Sequence, residues 1–99
     1  MHDRYVPFTG IGVALVTLFD REGDVDAAAT ADHAARLVEA GVQGVVVAGS
    51  TGEASALDPD ERSALLAAVR SAVGGRVPVL AGTGAPSARQ AVALSERAA

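Results

Sequence analysis

The sequence predicts an α/β fold made of consecutive parallel strand–helix units, and three observations carry that reading. Short valine-rich segments recur at roughly 35-residue spacing, which suits successive βα units of about 30 residues each. Each segment is a continuous apolar run, the pattern of strands covered on both faces. Each also runs into a polar, glycine-bearing turn and then into a helix-start signal. No low-complexity linker separates the units, so residues 1–99 read as part of a single domain.

The first strand is expected from about Gly12 to Leu18 (Gly-Val-Ala-Leu-Val-Thr-Leu). Asp20-Arg21-Glu22-Gly23-Asp24 forms the turn, and a helix follows from about Asp26 to Glu39 with His33, Leu37 and Ala40 at helical spacing. Gly41 supplies its stop. The second strand spans about Gly44 to Ala48. Its helix opens at Asp58-Pro59-Asp60-Glu61: Asp58 caps, Pro59 takes the first helical position, and Glu61 completes a capping box. Leu65, Leu66 and Val69 give this helix its apolar stripe, and Gly74-Gly75 end it. The third strand runs from about Val77 to Ala81, and a third helix starts after Ser87, with Gln90 as a second capping-box partner and Val92 and Leu94 inside it. The sequence reaches Ala99 with neither a C-cap glycine nor a closing strand, which predicts an incomplete domain interrupted in or near its third helix.

Composition narrows the function. The chain has 99 residues, 49% of them hydrophobic but only 3% aromatic, so its core must be built from Ala, Val and Leu. A net charge of −4 with scattered arginines argues against nucleic acid or an anionic membrane as partner. Cysteine is absent, which excludes disulfides and thiolate chemistry. The amino-terminal residues lack the pattern of a signal peptide, and no apolar run approaches the ~20 residues that cross a bilayer. A cytoplasmic protein is expected. All eight basic residues are arginine, so this stretch cannot itself form a lysine Schiff base.

The segment Val45-Val46-Val47-Ala48-Gly49-Ser50-Thr51-Gly52-Glu53 is the most informative. An apolar strand runs into a turn with two adjacent hydroxyls, flanked by glycines that let the backbone approach a ligand closely. That combination suits a carboxylate or phosphate at the carboxyl end of a parallel strand. The residues alone also allow a plainer reading, in which the hydroxyls only satisfy local backbone groups. Ala81-Gly82-Thr83-Gly84-Ala85 is a second loop of this type. Right-handed crossovers would place all three loops on one rim, so Thr17, Ser50, Thr51 and Thr83 are expected to line one mouth. Glu53 is expected to hold the loop, because a carboxylate beside a bound anion would repel it. His2, His33 and Tyr5 are poor catalytic candidates, no metal site is expected, and Gly10-Ile11-Gly12 precedes its strand and so is no dinucleotide fingerprint.

Three motifs in order carry a family resemblance. They are Phe8-Thr9-Gly10 with Val13-Ala14-Leu15-Val16-Thr17, then Gly49-Ser50-Thr51-Gly52-Glu53, then Val79-Leu80-Ala81-Gly82-Thr83-Gly84. From about Phe8 to Ala98 the chain resembles the amino-terminal third of the dihydrodipicolinate synthase/N-acetylneuraminate lyase family of pyruvate-dependent class I aldolases. The resemblance implies the first three units of an incomplete (β/α)8 TIM barrel, which needs ~250 residues when whole. It implies that Ser50 and Thr51 bind the pyruvate carboxylate, and that Ser50 relays a proton between tyrosines. The Schiff-base lysine and the catalytic tyrosine come from later strands in the family. No cofactor is implied, and whole members are homotetramers or homodimers.

The branch is read from details. Ser50 resembles the lyase branch, whereas Ala81-Gly82-Thr83-Gly84 resembles the synthases, and the balance favours 4-hydroxy-tetrahydrodipicolinate synthase, which condenses pyruvate with aspartate semialdehyde in lysine biosynthesis. The alternative is an N-acetylneuraminate lyase or 2-keto-3-deoxy sugar acid aldolase. The family's Thr-Pro pair is Thr17-Leu18 here. Lysine-inhibited members carry His, Asn and Glu where this chain has Pro59, Arg62, Pro86 and Gln90, so no such feedback is expected. The segment alone is expected to be inactive and poorly folded, with open sheet edges that favour association. A reading of another class is a small, non-catalytic α/β anion-binding module; a weaker one is a remnant that only associates with full-length homologues.

Overall fold

Three parallel strands form one sheet in the order β1-β2-β3, each followed by a helix. The computed structural model describes Val6 and residues 8–99; His2 and Tyr5 lie outside the described residues. The elements are β1 (Gly12–Ala14), α1 (Ala27–Glu39), β2 (Gly44–Val47), α2 (Pro59–Val73), β3 (Val79–Ala81) and α3 (Ala88–Ala98), with a short 3₁₀ turn at Ala54–Ala56. Register places Gly12 opposite Gly44 and Val45 opposite Val79.

The helices start where the caps say. Asp26 accepts from the Ala29 N–H and opens α1. Asp58 and Glu61 exchange both bonds of a capping box at 2.7 and 2.8 Å, with Pro59 at the first helical position. Ser87 accepts from the Gln90 N–H, but its own hydroxyl points to the Gln90 side chain. The third helix therefore has half of the expected box. Gly41 adopts a φ of 113°, a left-handed geometry that glycine takes without a side-chain penalty, and so ends α1.

Two strands are shorter than their apolar runs. After Leu15, whose N–H still bonds the Val46 carbonyl, the backbone leaves the ladder for side-chain and loop partners. The Leu18 N–H donates to the Thr30 hydroxyl at 3.0 Å, and the Leu18 carbonyl accepts from the Asp26 N–H. At β3 the Val77 N–H is spent on the Val73 carbonyl at the end of α2, and Pro78 has no N–H to give. Pairing therefore begins at Val79.

The core lies between the sheet and its first two helices. Leu15, Val45, Val47, Leu65, Val69 and Val73 are its largest buried apolar side chains. Valines at alternate positions of β2 face the helices, while Val46 faces the other side and is only partly covered. On that other side, at the amino ends of the strands, the Phe8 ring lies across Gly12 and Gly44, and a Cβ on either glycine would come within 2.3 and 2.7 Å of it. No residue of α3 is buried, and Val92 on its surface is 57% exposed.

Candidate functional site

The carboxyl edge of the sheet carries the site. Beyond β2, Ala48 and Glu53 both adopt left-handed backbone conformations, with φ of 57° and 59°. Non-glycine residues pay of order 1–3 kcal/mol for such geometry and keep it only where the surroundings over-determine it. These two strained residues bracket Gly49-Ser50-Thr51-Gly52, the segment singled out by its chemistry. Ser50 and Thr51 are both exposed, at the head of the turn. Among the described residues, no hydrogen bond is made by either hydroxyl, and the N–H groups of residues 49 to 52 donate to no protein acceptor. Two hydroxyls and a run of N–H groups without protein acceptors supply the donors that suit an anion.

The loop is held from every side. The Glu53 N–H donates to the Ser50 carbonyl at 3.0 Å, and the Ala54 N–H to the Gly49 carbonyl at 3.2 Å. Glu53 holds the loop through its backbone; its side chain makes no capping bond. Arg62 on α2 reaches back to the Ala54 carbonyl at 2.8 Å and pins the 3₁₀ turn. Sequence reading missed that role, because an arginine eight residues away matches no local motif. Thr30 was missed because its partner Leu18 is twelve residues away: fully buried on α1, its hydroxyl accepts from the Leu18 N–H and donates to the Asp26 carbonyl.

The expectation of four hydroxyls around one mouth needs a correction. Thr17 is buried, and its Oγ1 donates to the Gly52 carbonyl at 2.6 Å. It ties the first loop to the second and offers nothing to a ligand. The backbone has left the ladder after Leu15, and the Thr17 side chain turns to the second loop. Thr83 is half-buried in the third loop. That loop abuts the second, since the Gly82 N–H bonds the Val47 carbonyl at 2.7 Å and a Cβ on Gly82 would lie only 2.1 Å from the Ala48 carbonyl oxygen. The three loops thus meet along one edge, with Ser50 and Thr51 as the exposed hydroxyls at its centre.

A separate groove of about 510 Å³ lies beside this edge, lined by Ser55, Pro59, Arg62, Pro86, Gln90 and Arg97 among others. His33 sits half-buried on α1. Among the described residues, no group of acidic or histidine side chains is arranged to hold a metal ion, and no helix is long and apolar enough to cross a membrane.

Comparison with known proteins places this arrangement. The profile of the Dihydrodipicolinate synthetase family matches residues 7–99. An uncharacterized DapA-like lyase of Halobacterium salinarum is 51% identical over 90 residues, covering 91% of this chain and 30% of the relative. The 4-hydroxy-tetrahydrodipicolinate synthase of Synechococcus sp. (strain WH7803) is 50% identical over 93 residues, covering 94% of this chain and 31% of that enzyme. The crystal structure of dihydrodipicolinate synthase DapA-2 from Bacillus anthracis superimposes with a TM-score of 0.89 at 38% identity, over 95% of this chain and 32% of that one. YagE of E. coli K12, solved in complex with pyruvate, gives 0.85 at 41% identity, over 94% of this chain and 31% of its own. The chain therefore spans about 30% of the length of the curated relatives it matches. Its α/β architecture corresponds to the first βα units of their TIM barrel. With the family profile matched over nearly all of its length, this chain belongs to the dihydrodipicolinate synthetase family.

Proposed function

We propose that these residues are the amino-terminal part of a single (β/α)8 barrel domain, and that the whole protein is a pyruvate-dependent lyase of the 4-hydroxy-tetrahydrodipicolinate synthase type. The observation that carries the reading is the turn at Gly49–Gly52, whose hydroxyl and N–H donors lack protein acceptors and which is held between two left-handed residues at the carboxyl end of a barrel strand. Pyruvate presents a carboxylate that can take both the Ser50 and Thr51 hydroxyls and the N–H groups around them. Pyruvate complexes of two similar proteins, YagE and the Acinetobacter baumannii synthase, support that choice of ligand.

Holding the carboxylate fixes the ketone relative to a lysine supplied by another part of the barrel. That amine adds to the ketone carbon, water leaves, and a C=N bond forms. The carbanion equivalent next to it then attacks the aldehyde of aspartate semialdehyde. Ser50, exposed beside the carboxylate, is placed to pass the protons these steps move.

The test uses the protein purified from its native source. Its intact mass is measured, and it is then incubated with pyruvate and borohydride, which adds hydride to the imine carbon and leaves a stable secondary amine. The expected result is the mass of a barrel of about 250 residues or more, with an adduct on one lysine. Turnover with aspartate semialdehyde separates the synthase from the N-acetylneuraminate and sugar-acid branches. A mass equal to these 99 residues alone excludes the Schiff base, since they contain no lysine. Saturable anion binding without any adduct favours the non-catalytic module.

A further inference from the structure

The Thr17 hydroxyl makes a buried hydrogen bond between the first two units. The residue is 4% exposed, and its bond to the Gly52 carbonyl spans 35 positions of sequence. The peptide that accepts it is also held at its other end, because the Glu53 N–H of the same Gly52–Glu53 peptide donates to the Ser50 carbonyl. One peptide plane is thus clamped on both edges, and it closes the turn that presents Ser50 and Thr51. Gly52 itself is buried against the segment that leads from β1 to Thr17: a Cβ there would lie 3.0 Å from the Leu15 carbonyl oxygen. The clamp opposes a real tendency to relax, since Glu53 is held at a φ of 59°.

We propose that Thr17 is a positioning residue for the anion loop. It touches no ligand and acts through Gly52, keeping the turn in the one shape that turns its donors outward. The inference rests on the reading of Ser50 and Thr51 as a carboxylate site. It follows that the donor hydroxyl is what matters at position 17, not bulk: Thr17→Val keeps the shape and leaves a buried carbonyl unpaired, whereas Thr17→Ser keeps the bond.

The test compares wild type, Thr17→Val and Thr17→Ser in the protein as its gene encodes it. Pyruvate KM, kcat, amide exchange and thermal unfolding are measured. Thr17→Val is expected to raise the pyruvate KM by about tenfold and to speed exchange of the Glu53 amide by a similar factor, with Thr17→Ser within about twofold of wild type. Val73→Ala, buried at the far end of α2, is expected to lower the unfolding temperature without moving KM, which separates positioning from general stability. Wild-type KM and exchange in Thr17→Val, or equal damage in Thr17→Ser, overturns the proposal. In case the valine variant does not accumulate, wild type alone is decisive: the Glu53 amide should exchange at least about tenfold more slowly than that of Thr51, and equal rates overturn the clamp. A wild-type protein that takes up no pyruvate refutes the carboxylate reading instead, and the exchange comparison then judges the Thr17 clamp by itself.

Discussion

Gly82→Ala should damage the site from outside it. A Cβ at this position would lie 2.1 Å from the Ala48 oxygen, 2.6 Å from its carbonyl carbon and 3.0 Å from the Gly49 nitrogen. Ordinary contact begins near 3.4 Å, so the two loops must part by a little over 1 Å. The atoms in the way are backbone, with no side chain to swing aside, and Ala48 is already at a φ of 57°. Overpacking of this kind costs about 1–3 kcal/mol. In a protein of 150–250 residues each kcal/mol lowers Tm by roughly 2–4 °C. The displaced residue lies two positions before Ser50, and misplacement of about 1 Å at a reacting group can cost around 10²-fold in rate. The control is Gly84→Ala in the same loop, where an added Cβ meets nothing within 4 Å. Thermal unfolding and pyruvate turnover of both variants, in the protein as its gene encodes it, form the assay. Equal behaviour of the two alanine variants would refute the argument that close approach to Ala48 sets the shape of the site.

Three other outcomes are expected. Thr30→Val removes the acceptor of the Leu18 N–H in a fully buried place, and denaturant unfolding should show a loss of about 1–3 kcal/mol. Asp58→Ala removes the carboxylate that accepts from the Glu61 N–H, one of the two bonds of the α2 capping box, and should cost ~1 kcal/mol by the same measurement, with Asp58→Ser recovering part of it. Millimolar lysine should leave the activity unchanged, because the groove beside the site is lined by Arg62 and Arg97 and by no carboxylate that could pair with an ammonium group; inhibition in an initial-rate assay would contradict this.

What could be read in advance was what local chemistry decides. Asp26, Asp58 and Pro59 announce helix starts through bonds to their own neighbours, and all three mark the observed boundaries. The glycine-flanked hydroxyls of the second loop were legible because strand, turn and helix signals are contiguous there. The ends of β1 and β3 were not legible, since they depend on where Leu18 and Val77 spend their N–H groups, and those partners are Thr30 and Val73 on helices. The burial of Thr17 was hidden for a similar reason. Its apolar run fits a strand on either face, and only the bond to Gly52 shows that its hydroxyl serves another loop. The left-handed conformations of Ala48 and Glu53 had no signal at all, because neither residue type favours them.

The Phe8 ring across Gly12 and Gly44 has a consequence for how the chain finds its pairing. The two glycines face each other in the sheet, so the ring tests both strands at once. A slip of one residue would set Gly12 against Val45 and bring a branched side chain, or none of the needed gap, beneath the aromatic face. A one-residue slip also turns each side chain to the opposite face, so the ring and the buried valines of β2 select the same register. Because Phe8, Gly12 and Gly44 all lie in the first half of this chain, that check can act as soon as β2 is synthesised.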